Sequence, residues 1–405
     1  MSSHPPNHTD PTQSKSPSKV APQVITIVLL TRLILSSVIQ IFFPFLPLIA
    51  SGLNQSEVEL ARYLGLSKIA NLVSPFFGIV ADKRGYRRVI LFGLLITAIG
   101  TLLIYFSQTP GTFVLGLFLM GGGSAGVSPT LVAYMSHLLP FESRSRGLGM
   151  LEYTYAFTGI AVMPIFGWLI GWTSWRMPFL VMGLLELLLI IGFFQMPGTG
   201  READESAVST RDLFNDILDF GPNWRSAIAV LFSDSLTKMA GMVLNINFGT
   251  WLAYEYGLEA AQLGQVAFLM GIADICGSGL VSIFGDRIGK QRSVLVATGF
   301  GVLFYLLLPL WNQGYVMALL GLLMARWTLE FSIVAHIVLI SEQSPEHRGK
   351  MMTMRMGLGF LAMTVGAFVG PLLYKHFGVW GIGIPGAASM LGAWTVTRFL
   401  TLERG

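Results

Sequence analysis

The chain has 405 residues, 53% of them hydrophobic and 12% charged, with a mean hydropathy of +0.64. That balance excludes an ordinary water-soluble domain, in which about 25% of residues are charged. The net charge of +4 and pI near 9.2 would suit a nucleic-acid partner, but the positions of the basic residues, given below, speak against one.

Residues 1–22 are rich in Ser, Pro, Thr, Asn and His, so a disordered tail is expected there. No cleavable leader is expected, because the first apolar stretch is long and lacks a small-residue cleavage site. Twelve apolar runs follow, at about 23–49, 59–81, 89–107, 112–138, 148–172, 176–196, 225–253, 260–284, 293–311, 314–340, 351–374 and 379–400. Each is long enough to cross a hydrocarbon core of ~30 Å. The single cysteine, Cys276, lies in one of these runs and has no intrachain disulfide partner.

The first span carries Arg32 near its middle and ends in Phe43-Pro44-Phe45-Leu46-Pro47, which predicts a bend. The seventh span begins as a copy of the first. Val28 to Arg32 aligns with Val230 to Asp234 at an offset of 202, so a cation in one half matches an anion in the other. Lys238 lies one turn after Asp234, on the same face. The second span holds Lys68 and Asn71. The fourth holds Gly121-Gly122-Gly123-Ser124-Ala125-Gly126, read either as close helix packing or as a flexible, substrate-lining segment. After it, Pro140 to Gly147 is echoed by Pro345 to Gly349, with Arg146 and Arg348 again 202 apart. Residues 197–223 form the one long polar stretch inside the chain, a linker. Its part 209–220 reads as an amphipathic helix on the membrane face or as solvated chain.

With both termini on one side, 18 of the 26 Lys and Arg fall in the tails and loops of that side. Only Arg176 and Lys375 fall opposite, and Arg32, Arg62, Lys68, Lys238, Arg326 and Arg355 lie in or at the edge of spans. The positive-inside bias then places both termini in the cytoplasm of a multi-pass plasma (inner) membrane protein. The basic pI reflects topology, and no nucleic-acid partner is expected.

Between the second and third spans runs a basic loop containing Gly78, Asp82, Lys83, Gly85 and Arg88. A copy follows 204 residues later, with Ser282, Asp286, Arg287, Gly289 and Arg292. The repeated pattern resembles the signature loop of the major facilitator superfamily of secondary transporters. The resemblance implies an all-α membrane protein with twelve transmembrane helices in two pseudo-symmetric six-helix halves, 23–196 and 224–402. In that family spans 1, 4, 7 and 10 line a central cavity, so Arg32, Asp234, Lys238, Arg326 and Glu330 are expected to converge near the midplane. Either Asp234 or Glu330 gains and loses a proton there, or the five charges are permanent ion pairs. Three cations against two acids leave a net positive charge, which suits an anionic portion of a solute. Glu186 and Asp274 have no assigned role.

The resemblance also implies that the signature loop latches the halves together on the cytoplasmic side. Asp82 would face the start of the eleventh helix, with Arg355 as its candidate partner, and Arg287 would face Glu152. A plain solvated loop is the alternative. In the fifth span Gly159, Pro164 and Gly167 resemble the pattern carried by drug:proton antiporters of the family, with Met163 and Trp168 in place of glycines. Gly366, Gly370 and Pro371 carry the same idea in the eleventh span. A proline-bent, closely packed helix pair is the other reading. The expectation is a carrier that moves a small solute by alternating access, exporting it against protons. The alternatives are proton-coupled uptake of a small anionic or neutral metabolite, or a non-transporting sensor or scaffold. An enzyme is not expected, because the chain lacks metal-ligand spacing, a nucleophile elbow and a phosphate loop. The expected partners are solute, proton and lipid bilayer, with no cofactor and a monomeric state.

Overall fold

The computed structural model describes residues 22–74, 77, 80–81, 84–198, 224–343 and 348–401. The expected linker helix, most of the tail, and Gly78, Asp82 and Lys83 lie outside them. Among the described residues ten helices are long and apolar enough to cross a membrane. Two further segments bring the spans to twelve: the second, which starts as Glu57–Ser67, and the last, Trp380–Leu400. Both termini of the described chain, and both edges of the linker, fall on one face, here the terminal face.

Helix starts follow local chemistry. The Ser56 hydroxyl accepts from the Glu59 amide at 3.2 Å and opens the second span. Thr109 caps the fourth, with Pro110 in its first turn. Three spans are interrupted. The first runs as Pro22–Gln40, turns at Ile41 and resumes as Phe42–Gly52. Pro44 has no N–H to offer the Gln40 carbonyl, and that missing bond puts the bend where the sequence predicts it. The second tightens into a 3-10 turn over Lys68–Val73. The fifth widens into a π turn over Thr158–Val162, just before Pro164.

The duplicated loop is one turn used twice. Gly85 has φ 88° and ψ 141°, and Gly289 has φ 93° and ψ 149°. This conformation is open essentially to glycine. Each amide closes on the preceding helix, Gly85 on the Ala81 carbonyl at 2.8 Å and Gly289 on that of Gly285 at 3.2 Å. A Cβ at either position is strained whatever space surrounds it. Gly289→Ala is expected to cost about 1–3 kcal/mol, read as a lowered melting temperature in detergent. Gly378, at φ 57°, lies in the ordinary left-handed region, so Gly378→Asn should cost measurably less.

The fourth-span glycines pack closely. A Cβ on Gly123 would stand 2.4 Å from the Thr97 hydroxyl of the third span, and one on Gly126 would stand 2.7 Å from the Phe77 ring. Gly122 alone of the run faces open space.

The two halves touch unevenly. Toward the face opposite the termini they share one core, in which Phe42, Phe45 and Ile49 of the first span join Trp251 and Leu252 of the seventh. Toward the terminal face each half keeps its own core. One is built around Val28, Leu94 and Leu131, the other around Val230, Val294 and Ile340. Inter-half contacts are correspondingly closest at mid-depth and beyond. A Cβ on Gly249 would lie 2.4 Å from the Pro44 carbonyl oxygen. The fifth and eighth spans meet backbone to backbone, with Gly159 against Gly271 and Gly167 against Gly264. The second and eleventh meet where the Thr364 hydroxyl donates to the Gly65 carbonyl at 3.2 Å. At the rim the Tyr254 hydroxyl donates to Glu57. Among the described residues the molecule is therefore a wedge, closed at the opposite face and parted at the terminal face.

Candidate functional site

The cleft between the halves narrows to a pocket of about 30 Å³, lined by Gln40 and Tyr155 from one half and Asn245, Asp274 and Arg326 from the other. That is room for little more than a water molecule. A wider hollow lies on the opposite face, but its charged residue, Arg176, is already committed to the Ser107 carbonyl at 2.9 Å and to the Trp175 ring.

At the pocket Arg326 of the tenth span grips Asp274 of the eighth with two parallel bonds. Nε reaches Oδ1 at 2.5 Å and Nη2 reaches Oδ2 at 2.7 Å, while Nη1 donates to Asn245 Oδ1 at 2.9 Å. Both charged side chains are 7% exposed. A bidentate pair of this kind is strong and directional, and here all three guanidinium nitrogens are engaged. Asp274, which the sequence leaves without a role, is thus the partner of Arg326. The available signal was a carboxylate at mid-span, where a charge costs ~2.5–3.5 kcal/mol and needs a partner or water.

A second cluster sits nearer the terminal face. Asp234 is fully buried and holds two cations. Arg355 Nη2 lies 3.0 Å from its Oδ1, and Lys238 Nζ lies 2.9 Å from its Oδ2, off the line of a good hydrogen bond. Lys238 also donates to the Arg355 carbonyl at 3.2 Å. Behind Asp234 the Ser233 hydroxyl meets His336 Nε2 and the Thr397 hydroxyl, both at 2.8 Å. His336 Nδ1 faces the Ser332 carbonyl at 2.8 Å, so it carries a hydrogen. His336, solitary in sequence, belongs to a closed network joining the seventh, tenth and twelfth spans.

The five expected cavity residues therefore do not meet at one point. Arg326 is with Asp274. Asp234 and Lys238 are with Arg355. Glu330, one turn from Arg326, is partly exposed and makes no ion pair among the described residues. It stands within electrostatic reach of Asp274, Arg326, Glu152 and Arg355. Arg32 is half-buried, and its enclosed Nε finds no acceptor. Glu186 is elsewhere, wholly buried in the sixth span. The Thr101 hydroxyl of the third span stands beside it without reaching hydrogen-bond geometry.

Of the residues expected to gate the cytoplasmic side, Arg88, Glu152, Arg287 and Arg292 are exposed near the terminal face. Arg287 and Glu152 form no ion pair among the described residues, and the side chain of Asp286 lies outside them. Arg355, expected opposite Asp82, is instead turned into its own half and held by Asp234. Gly159 lies within the π turn, Pro164 and Gly167 follow it, and all three make the contact with the eighth span. Gly366 and Gly370 do not mirror them. They face Met242 and Asn247 of the seventh span, within the same half.

A family model described as Major Facilitator Superfamily matches residues 28–237 and again 230–405. The uncharacterized MFS-type transporter YwfA of Bacillus subtilis is 27% identical over 379 residues, covering 89% of this chain and 88% of that one. The multi-drug resistance efflux pump PmrA of Streptococcus pneumoniae is 28% identical over 288 residues, covering 66% and 68%. The crystal structure of a D-xylose–proton symporter superimposes with a TM-score of 0.75 over 94% of this chain and 98% of that one, at 16% identity. That last likeness is one of fold.

Proposed function

The chain belongs to the Major Facilitator Superfamily, and we propose that it exports a small solute across the plasma membrane in exchange for protons, by alternating access. The observation that carries this reading is the wedge, sealed at one face and parted at the other, with ionisable groups lining the cleft. With the termini cytoplasmic, as the basic loops require, the described conformation faces inward. Relatives described as efflux pumps support the outward direction of transport.

Glu330 is the proton site in this reading. It stands within electrostatic reach of both charge clusters, and no cation is committed to it among the described residues, so it can change charge without breaking an ion pair. Asp274 and Asp234 are each held by at least one cation and act as fixed anions. The loop residues Gly78, Asp82, Lys83, Gly85 and Arg88, with Asp286, Arg287, Gly289 and Arg292, latch the cytoplasmic side in the outward-facing state. For that state Arg355 leaves Asp234 and Glu152 approaches the second loop.

Proton-coupled uptake is the second reading, and the cation surplus of the cleft favours it, since an anion and a proton bind more readily together than apart. The pH dependence of solute binding separates the two. In exchange, a proton on Glu330 excludes solute, so apparent affinity falls as pH falls. In co-transport it rises. Glu330→Gln is expected to leave solute counterflow intact in proteoliposomes while abolishing solute-driven proton movement and flattening the pH profile. Unchanged proton movement in this variant would remove Glu330 from the mechanism.

A further inference from the structure

We infer that Arg32 is the anchor for the anionic end of the solute, and that the solute is an amphiphilic organic anion with an aromatic or otherwise flat apolar body. The inference rests on the carrier reading above and specifies its substrate.

The first observation is an imbalance between the halves. Three cations deep in the C-terminal half have their acid: Arg326 has Asp274, and Lys238 and Arg355 share Asp234. In the N-terminal half Arg32 has none among the described residues. The repeat makes the difference plain, because Arg32 stands at the position where the other half has Asp234. The second observation is the state of the guanidinium. Nε is enclosed and lacks an acceptor, yet the residue as a whole is only half-buried. A planar guanidinium with no acceptor on its Nε, on a side chain that is partly exposed, is matched by a carboxylate or a similar flat oxyanion.

The third observation concerns what lies beyond it. Arg32, Ser36, Gln40 and Phe43 follow one another at helical spacing on the side of the span away from the exposed Leu30. Gln40 and Phe43 line the pocket, together with Tyr155, Met163, Phe248 and Met270. Eight residues separate Arg32 from Gln40, a rise of about 12 Å. The Arg32 side chain leans toward the helix start, hence toward the cytoplasmic opening. An entering solute meets the cation first and the ring- and thioether-lined pocket last. An anion with an apolar body several bonds away fits that order.

The test uses the purified full chain in detergent and three probes that share a phenylalkyl body and differ in the charge and chemistry of the head group: 4-phenylbutyrate, 4-phenylbutanamide and 4-phenylbutylammonium. The carboxylate is expected to bind about 10- to 100-fold more tightly than the other two, the range for one charge-assisted contact. Arg32→Gln should erase that preference, Arg32→Lys should retain part of it, and Arg62→Gln, which removes an exposed charge elsewhere, should keep it. Equal binding of the three probes by the parent, or a preference that survives Arg32→Gln, overturns the inference. If neither Arg32 variant folds, the charge preference of the parent decides. Failure of the carrier reading looks different: no probe and no other solute would cross proteoliposomes. Failure of the anion site leaves flux of neutral or cationic solutes in place.

Discussion

Replacing Arg326 with methionine is expected to destabilise the protein by about 3–5 kcal/mol, the range for breaking a buried ion pair from one side. The geometry explains the size. Asp274 would keep its charge in a site 7% exposed, stripped of two bonds at 2.5 and 2.7 Å, and Asn245 would lose its donor. The measurement is the melting temperature in detergent beside the yield of monodisperse protein. Asp274→Leu alone should be about as damaging, since it leaves the guanidinium unpaired. The double variant Arg326→Met with Asp274→Leu should recover much of the loss, because two apolar side chains restore packing without an orphaned charge. Its transport should stay absent, because the pair lines the apex of the cleft. A double variant as unstable as either single would mean that the pair adds stability in its own right. Full stability in Arg326→Met would mean that Asp274 takes up a proton without difficulty and the pair is incidental.

This pair also marks where sequence reading stops. Twelve spans, the two-fold repeat and the paired loop glycines are legible because they follow from local properties. Apolar length sets the spans, and the positive φ of Gly85 and Gly289 sets the loops. Span ends agree with the apolar runs to within a few residues, except where the fifth helix begins early, at Phe141, in polar sequence. Side-chain partners are a different matter. Arg326 and Glu330, one turn apart on one helix, invite a pairing that the structure does not make. The guanidinium reaches across to the eighth span because Asp274 presents both oxygens, while Glu330 starts beside Gly277 of that span and makes no ion pair among the described residues. Arg355 lies near enough to its helix start to look like a gate residue, yet the anion at Asp234 lies closer than any loop. Such choices depend on how helices cross, which a single chain's pattern of charges does not encode. The fifth-span glycines sit between these extremes. Their spacing announces a close contact, and only the fold shows the partner to be Gly264 and Gly271 of the other half.

Gly249→Val is expected to shift the conformational balance rather than the folding of either half. Gly249 sits in the seventh span where it crosses the bent end of the first. Its Cβ would lie 2.4 Å from the Pro44 oxygen and 2.5 Å from that of Phe43. Neither neighbour can give way locally. Both are backbone atoms, and their segment is already fixed by the turn at Ile41 and by Pro44 and Pro47. The relief open to the molecule is to part the first and seventh spans at that face, which is the movement alternating access requires. The closed seal there should weaken by about 1–3 kcal/mol, the usual cost of overpacking, enough to change a two-state ratio about 5- to 150-fold. The measurement is the labelling rate of a single cysteine at Leu252, now buried beside this contact, in a background with Cys276 replaced by serine. A membrane-impermeant maleimide added from outside should label Gly249→Val faster than the parent by that order, whereas Gly314→Val, at a turn with open space around it and no positive φ, should not change the rate. Slower or unchanged labelling in Gly249→Val would show that the first and seventh spans do not form the seal.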